Sequence, residues 1–312
     1  MASNSHRRTP KSARHRAVGD NRPPPGSSKL AGVRGLFVVA TPIGNLGDMS
    51  ERARTILAAV DVIACEDTRV SGVLLTHFAI ATPTIVYHDH NAERVRPALL
   101  GRLESGEAVA LISDAGTPLI SDPGFKLVAA CIERNIPVTP APGPSAVMTA
   151  LMVAGLPTDR FMFAGFLPSK VSARAKDLAA LANIPATLVF FESPGRAAET
   201  LSAMAAAFGN RPAALCRELT KLYEETRRGN LTELADGAER DPPRGEVVIV
   251  VAGASEVAPA DDAAVDRMLH QALKTKSVRD AAQDVAEVSG RPRREVYRRA
   301  LMLAGQSDIE PQ

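Results

Sequence analysis

The stretch VALISDAGTPLISDPG, residues Val109–Gly124, holds the pattern around which the rest of the chain is arranged. Its first four residues, Val109–Ile112, are continuously apolar and predict a short strand that is buried on both faces. The chain then enters a loop of Gly, Pro and small polar residues, where Gly116 allows a ligand to approach the backbone closely and Asp114 and Ser121 offer polar groups. Since ligands of open α/β sheets lie outside the carboxyl ends of the strands, this loop is a candidate binding site.

Two other stretches have the same arrangement of a short apolar strand, a Gly/Pro loop and a helix. They are LFVVATPIGNLGD at 36–48 and IPVTPAPGPSAV at 136–147. One such loop is equally typical of a plain strand-to-helix connection, but three of them side by side predict a cleft. The alternation of strands and helices indicates an α/β fold with a parallel-rich N-terminal sheet, followed by a second α/β unit whose sheet is mixed.

Composition restricts the class of protein. Of 312 residues, 45% are hydrophobic and 23% charged, which is typical of a globular chain. No apolar run approaches the roughly 18 residues that span a bilayer, so we expect no membrane association and a cytoplasmic location. The three cysteines lie far apart without a CxxC pair, which argues against both a disulfide framework and a zinc site, and no other metal cluster is expected.

Changes in composition divide the chain into five segments. They are a disordered basic tail at 1–32, an N-terminal α/β domain at 33–155, a C-terminal α/β domain at 156–253, a linker at 254–262 and a helical appended domain at 263–312. The first 30 residues carry seven Lys or Arg against one acid, which fits either a polyanion-binding tail or a solubilising extension. In the last segment we expect two helices with helix-turn-helix spacing, over 277–288 and 292–303.

The loops lack the patterns that hold polyphosphates. Neither GxxxxGK[ST] nor GxGxxG is present, and the loops are poor in cations. They suit a ligand with a flat heterocycle and a hydroxylated sugar, although composition does not select one compound.

Nine short motifs indicate a resemblance to a known family. In chain order they are TPIGNLGD, CEDTR, HDHN, SDAGTPLISDPG, PGPSA, GFLP, FFESPGR, RELTK and GEVVIVV. The chain resembles the tetrapyrrole-methylase superfamily and, within it, the bacterial 16S rRNA (cytidine-2′-O)-methyltransferases. The resemblance implies a two-domain tetrapyrrole-methylase-like fold with S-adenosylmethionine in the cleft between the domains, 16S rRNA of the small ribosomal subunit as partner, a decoding-centre cytidine as target, and a homodimer.

The resemblance also implies which residues bind the cofactor. They are Pro42, Asp114, Ala115, Gly116, Thr117, Ile120, Ser145, Ala146, Glu192, Leu219, Gly245, Glu246 and Val247. Where relatives that act on tetrapyrroles carry an acid in a Gly-Asp-Pro motif, this chain has Gly116-Thr117-Pro118, which makes a porphyrin-type substrate less expected.

Transfer of a methyl group to a ribose hydroxyl requires removal of a proton, and a general base adds typically ~10²- to 10⁴-fold to the rate. The candidates at predicted strand ends are Glu66, Asp67, His88, Asp89 and His90. Asp67 or His88 is the expected base, with Arg69 binding a phosphate or fixing the carboxylate. The alternative is that Glu66, Asp67 and Arg69 form an ion-paired helix cap.

An RNA substrate requires cations that meet phosphates. The candidates at the rim of the cleft are Lys170, Arg174, Lys176, Arg196, Lys221, Arg227 and Arg228, and those on the last helix are Arg293, Arg294, Arg298 and Arg299 beside Tyr297. Two other functions remain open: methylation of a small tetrapyrrole, and a non-catalytic RNA-binding assembly factor.

Overall fold

The computed structural model describes residues 34–254 and 260–307, so the expected basic tail at 1–32 lies outside the described residues. The first layer of the fold is a five-stranded sheet with helices on both faces. Its elements are β1 (Gly35–Val39), α1 (Glu51–Ala59), β2 (Val62–Cys65), α2 (Thr68–His77), β3 (Thr84–Val86), α3 (Ala92–Glu104), β4 (Ala108–Leu111), α4 (Phe125–Glu133) and β5 (Val138–Ala141).

The strands of this sheet are all parallel and lie in the order β3-β2-β4-β1-β5. Leu57 of α1 and Leu75 of α2 pack on one face, whereas Leu99 of α3 and Leu127 of α4 pack on the other. Because β1 leads to one face and its neighbour β4 leads to the opposite face, the order of the strands reverses between β1 and β4. Ligands of open α/β sheets bind at this point.

A second sheet follows the helix α5 (Ala146–Ala154). Its elements are β6 (Phe161–Phe166), α6 (Val171–Leu181), β7 (Thr187–Glu192), α7 (Ala197–Phe208), β8 (Pro212–Arg217), β9 (Glu225–Asn230), α8 (Leu231–Arg240) and β10 (Val247–Val251). The strand order is β6-β7-β10-β8-β9; only β6 and β7 are parallel, which confirms the expected mixed sheet. One face packs against α6, α7 and α8, and the other packs against α5.

The C-terminal part of the chain consists of three helices in residues 260–307, α9 (Asp262–Ala272), α10 (Val278–Ser289) and α11 (Arg293–Ser307). They share a small core of their own that includes Leu269, Val285 and Val296. The sequence predicted α10 and α11 but missed α9, which follows directly on the acidic and Pro-rich linker. Asp261 caps α9 by accepting a hydrogen bond from Ala264 N.

Two other sequence predictions need correction. The sequence after the loop predicts a helix over Pro123–Arg134, but α4 begins at Phe125, because Gly124 adopts a φ of 131° at the N-cap, with Leu111 packed beside it. The sequence also predicts a polar strand over Tyr223–Arg228, but the strand lies at Glu225–Asn230, after a turn with positive φ at Glu218 and Thr220.

Within residues 34–254 and 260–307, no helix combines the length and apolar character needed to cross a membrane. The three cysteines, Cys65, Cys131 and Cys216, are buried free thiols.

Candidate active site

The loops that follow β1 and β4 are joined at the point where the strand order reverses. Thr41 N donates to Gly116 O at 2.9 Å and Gly116 N donates to Thr41 O at 3.1 Å, which forms an isolated antiparallel bridge. The Thr41 hydroxyl also donates to Ser113 O at 3.3 Å. The first and second loops predicted to form the cleft therefore do form one surface. The third loop joins them through Thr117, whose hydroxyl donates to Pro144 O at 2.9 Å.

A cavity of about 380 Å³ lies between this surface and the second sheet. Eleven of the thirteen expected cofactor-binding residues line it: Ala115, Gly116, Thr117, Ile120, Ser145, Ala146, Glu192, Leu219, Gly245, Glu246 and Val247. Ser121, which the sequence singled out as a polar group of the loop, also lines the cavity. The sequence did not single out the remaining lining residues, which are Ile43, Asp122, Phe166, Phe191, Ser193, Pro194 and Val248. The two sheets thus contribute opposite walls of one site.

The chemistry of the lining restricts the ligand. Ile43, Phe191, Leu219 and Val247 supply apolar walls, while the polar side chains are hydroxyls and carboxylates. None of the described residues that line the cavity is Lys or Arg. A polyphosphate would lack counter-charges here, whereas an apolar heterocycle joined to a cationic group would find both an apolar wall and carboxylates.

Two glycines allow the walls to come close together. Gly116 has a φ of 80°, and a Cβ there would lie 3.1 Å from Ile43 Cγ2. Gly245 has a φ of 79°, and a Cβ there would lie 2.2 Å from Glu218 Oε1. Side chains at these positions would be strained and would fill space along the cavity wall.

An open groove adjoins the cavity. It is lined by Pro42, Ile43, Gly44, Leu46, Asp67, Arg69, Val70, Val73, Leu74, Asp114, Ala115, Lys221 and Glu246. The groove shares Ile43, Ala115 and Glu246 with the cavity, so the two are continuous. The remaining two expected cofactor residues, Pro42 and Asp114, line the groove and not the cavity.

Glu192 is a buried acid whose charge is fully engaged. Its carboxylate accepts from Ser193 N at 2.7 Å and from the Thr200 hydroxyl at 2.7 Å, and Arg196 Nη2 lies 3.4 Å away. These contacts fix the end of β7 at the cavity wall. The same Arg196 donates to the carbonyl oxygens of Leu167 and Pro168, so it holds backbone in place and is not available to a phosphate.

Asp67 and Arg69 lie in the groove but are bound to each other. Asp67 is the N-cap of α2 and accepts from Arg69 N at 2.8 Å, while Arg69 Nη2 lies 2.6 Å from its carboxylate. Hydrogen bonds from Arg69 lower the pKa of Asp67 to about 2. This is the ion-paired helix cap that the sequence offered as an alternative, and such a carboxylate is a weak base.

Glu66, His88, Asp89 and His90 line neither the cavity nor the groove. Glu66 is half-buried, and burial together with the nearby Asp114 raises its pKa. His88 is half-buried with its Nδ1 lacking a hydrogen-bond partner among the described residues. Asp89 and His90 are exposed. None of these four side chains is therefore part of the candidate site.

Asp122 is the site residue that the sequence interpretation missed, although it lies inside the stretch 109–124. It lines the cavity, and burial raises its pKa to about 6, with the charges of Glu66 and Asp114 acting in the same direction and the Ser113 hydroxyl opposing them. Leu119 and Ser121 have φ values of 76° and 65°, which fold the loop back on itself. No sequence signal distinguished Asp122 from Asp114.

The structure corrects the expected basic rim. Arg174 is buried and paired with Glu199. Arg227 is paired with Glu225 and Asp241, and Arg228 donates to Val153 O. Lys221 is paired with Glu218 at 2.8 Å and with Glu246 at 3.1 Å.

With Arg196 also engaged, only Lys170 and Lys176 of the seven expected rim cations are exposed and, within the described residues, unpaired. Lys170 directly precedes α6 and Lys176 lies within it. The five arginines and lysines that are engaged stabilise the fold, because each has an acid or a carbonyl oxygen as partner.

The helical group presents a separate basic surface. Arg279, Arg293, Arg294 and Tyr297 line one shallow concavity. By contrast, Arg299, one of the four expected cations on the last helix, is paired with Asp262 and Asp266. It therefore stabilises the helical group.

The fold and the cleft define a protein of the tetrapyrrole-methylase class. The family described as "Tetrapyrrole (Corrin/Porphyrin) Methylases" matches residues 35–235, and the "RsmI C-terminal HTH domain" matches residues 259–304. Among solved structures, diphthine synthase has a TM-score of 0.53 at 16% identity, covering 70% of this chain and 89% of that one. Cobalt precorrin-4 methyltransferase has a TM-score of 0.52 at 16% identity, covering 70% and 94%. These likenesses show the fold.

Curated relatives are much more similar. Ribosomal RNA small subunit methyltransferase I of Mesorhizobium japonicum is 51% identical over 270 residues, covering 86% of this chain and 92% of that protein. The protein of the same name from Xylella fastidiosa is 47% identical over 268 residues, covering 84% and 97%. The chain belongs to the ribosomal RNA small subunit methyltransferase I family.

Proposed function

We propose that the chain is an S-adenosylmethionine-dependent methyltransferase that modifies the ribose 2′-hydroxyl of a decoding-centre cytidine in 16S ribosomal RNA. The observation that carries this proposal is the cavity at the reversal of strand order, which brings eleven expected cofactor residues together from both sheets. The names of the curated relatives support the class of substrate.

The cavity fits the proposed cofactor in shape and in charge. Its volume lies in the range of small-molecule sites, about 300–1,000 Å³. The apolar walls suit an adenine ring, and a lining without Lys or Arg among its described residues suits a sulfonium cation. When bound, the cofactor would supply an electrophilic methyl group. The chain's own residues would hold it and exclude water, and positioning of two reactants is worth up to about 7–11 kcal/mol.

The acceptor would lie in the open groove, with its reacting hydroxyl group at the junction where Ile43, Ala115 and Glu246 line both the groove and the cavity. Exposed Val70 and Val73 offer apolar surface for a nucleobase, while Lys170, Lys176 and the basic surface of the helical group offer charge for the RNA backbone. This combination favours a macromolecular substrate over a small tetrapyrrole, which would need an enclosed site.

The test uses small ribosomal subunits that lack the modification. The purified chain is incubated with them and with methyl-labelled cofactor, and the label is mapped by nuclease digestion and by resistance of one phosphodiester bond to alkali. We expect one label at one cytidine ribose. Label on a base would reject 2′-O-methylation, and cofactor binding without label on RNA would favour the tetrapyrrole alternative. Failure to bind the cofactor would leave the non-catalytic assembly factor.

We further propose that the protein acts as a homodimer in the cytoplasm. Light scattering after size-exclusion chromatography is expected to give twice the chain mass of 33.0 kDa. A monomeric mass would contradict this part of the proposal without touching the reaction.

A further inference from the structure

Three acids line the cavity, and two of them are already engaged. Glu192 is held by Ser193, Thr200 and Arg196. The carboxylate of Glu246 lies 3.1 Å from Lys221 Nζ. Each of these two carboxylates therefore has a cationic side chain of the protein as partner.

Asp122 differs from both. In the described part of the chain no cationic side chain lies within ion-pairing distance of it, and its neighbours are the acids Glu66 and Asp114 and the hydroxyl of Ser113. Glu66 follows β2, and Asp114 and Ser113 follow β4. The two charged groups among these neighbours of Asp122, Glu66 and Asp114, are both negative. A carboxylate surrounded in this way holds a proton more tightly than one in water.

The position of Asp122 is fixed by the backbone. The positive φ values of Leu119 and Ser121 turn the loop after β4 towards the second sheet, and the Ser121 hydroxyl lies near Gly165 of β6. Asp122 therefore lines the cavity, while its neighbour Asp114 lines the adjoining groove. The pair marks the region where cofactor and acceptor would meet.

We propose that the carboxylate of Asp122 accepts the proton of the acceptor hydroxyl group during methyl transfer. This inference rests on the proposed function. It is favoured over Asp67, which is bound to Arg69, and over His88 and Glu66, which line neither the cavity nor the groove.

The step balances without another reactant. The hydroxyl oxygen forms a bond to the methyl carbon and loses its proton to the Asp122 carboxylate, while the sulfur keeps the electron pair of the carbon–sulfur bond that breaks. The products are the 2′-O-methyl ether, the neutral thioether and the protonated Asp122 side chain, which returns its proton to water before the next turnover.

The experiment compares D122N and D122E with the full-length wild type, using D177N as matched control because Asp177 is an exposed acid on α6 outside the site. Single-turnover methylation of unmodified small subunits is measured from pH 5 to 9 at saturating cofactor. Cofactor affinity is measured separately by calorimetry. Carboxyl ¹³C resonances of aspartate-labelled protein without cofactor report the titration of Asp122 directly, independent of activity.

For the wild type and D177N we expect the rate to rise tenfold per pH unit below about pH 6 and to level off above it, because the base must be ionised. D122N is expected to lower the plateau by about 10²- to 10⁴-fold and to abolish this pH limb, with cofactor affinity changed less than threefold. D122E should recover part of the rate together with the limb. One carboxyl resonance that titrates near pH 6 should be missing in D122N.

Any of three results overturns the inference: a D122N plateau within about tenfold of the wild type, a loss of cofactor affinity that accounts for the loss of rate, or a pH limb that persists in D122N. If the wild type itself transfers no label to ribose, the proposed function fails, and the resonance near pH 6 then shows only that the carboxyl group is perturbed.

Discussion

Thr41 and Gly116 exchange a reciprocal pair of backbone hydrogen bonds and thereby join the loops of two neighbouring parallel strands. The bridge lies where the strand order reverses, which is the point where α/β sheets bind ligands, and Gly116 lines the cavity there. Position 116 requires glycine, because its φ is 80° and Ile43 lies beside it.

Gly116→Ala is expected to weaken cofactor binding at least tenfold, since the bridge must shift to relieve the left-handed backbone and the close approach to Ile43. The strain corresponds to about 1–2 kcal/mol of reduced stability. Calorimetry and thermal melting measure the two effects. Gly237→Ala in α8 is the control, because nothing lies within 4 Å of its added Cβ and helix propensity favours alanine by up to about 1 kcal/mol. A Gly116→Ala protein with normal affinity would contradict the assignment of the cavity.

Asp67→Asn is expected to lower the melting temperature at pH 7 and to leave the pH limb of the methylation rate intact. The folded pKa of about 2 lies below the ordinary value of 3.8, so the stabilisation by this carboxylate is present above about pH 4 and is lost as the pH falls through 2. Melting curves from pH 7 to 3 should show the difference from wild type shrinking at the acidic end. Loss of the rate limb in this variant would restore Asp67 as the base.

Asp122→Asn should have the opposite effect on stability. The folded pKa of about 6 lies above 3.8, so the contribution of this group to stability is full below about pH 4 and is lost as the pH rises through 6. At pH 8 the variant is therefore expected to melt at a higher temperature than the wild type, and at pH 4 this advantage should have disappeared. Functional groups are often held at such a cost to stability. A lower melting temperature at pH 8 would contradict the burial of an uncompensated charge.

Arg174→Met is expected to lower the free energy of unfolding by about 1–3 kcal/mol and to leave RNA affinity unchanged, because the guanidinium group is buried against Glu199 and does not face the cleft. Chemical denaturation and filter binding measure these quantities. Lys170→Ala combined with Lys176→Ala is the contrasting variant, with weaker RNA binding and unchanged stability. If Arg174→Met alone lowered RNA affinity in a folded protein, Arg174 would have to contact RNA, which would contradict its assignment as a buried structural residue.

Arg293→Ala combined with Arg294→Ala is expected to weaken binding of the small subunit and to reduce the slope of log affinity against log salt by about 2, because each arginine that is removed leaves one phosphate without its cation. Arg299→Ala serves as the comparison, because its partners Asp262 and Asp266 make it structural. It should lower the stability of the helical group. An unchanged salt slope in the double variant would exclude this surface as a site of RNA binding.

The sequence predicted the strands and loops well because short apolar runs ending in Gly and Pro determine where a buried parallel strand stops. The motif resemblance then located most of the cavity lining, as with Thr117 and Leu219. Charged side chains were harder to place. In the sequence, Arg174 is equally compatible with binding RNA and with an ion pair inside the protein, and only the position of Glu199 on the neighbouring helix α7 decides between them.

Asp122 shows a second limit of prediction. Its importance depends on the backbone turn at Leu119 and Ser121, residue types that rarely adopt positive φ, and no local pattern announces such a turn. Asp67 shows the converse. Its place in a polar cluster made it an expected general base, whereas its hydrogen bond at the N-cap of α2 gives it a structural role.

Part of the cavity wall is formed where loops cross, at residues with little or no side chain such as Ala115, Gly116 and Gly245. The shape of that part of the wall depends on the path of the backbone more than on the identity of the side chains. The same scaffold accordingly persists in enzymes that share only 16% of their residues with this one. In this chain, a change in the path of the backbone at Gly116 or Gly245 would therefore alter the cavity even if every larger side chain were kept.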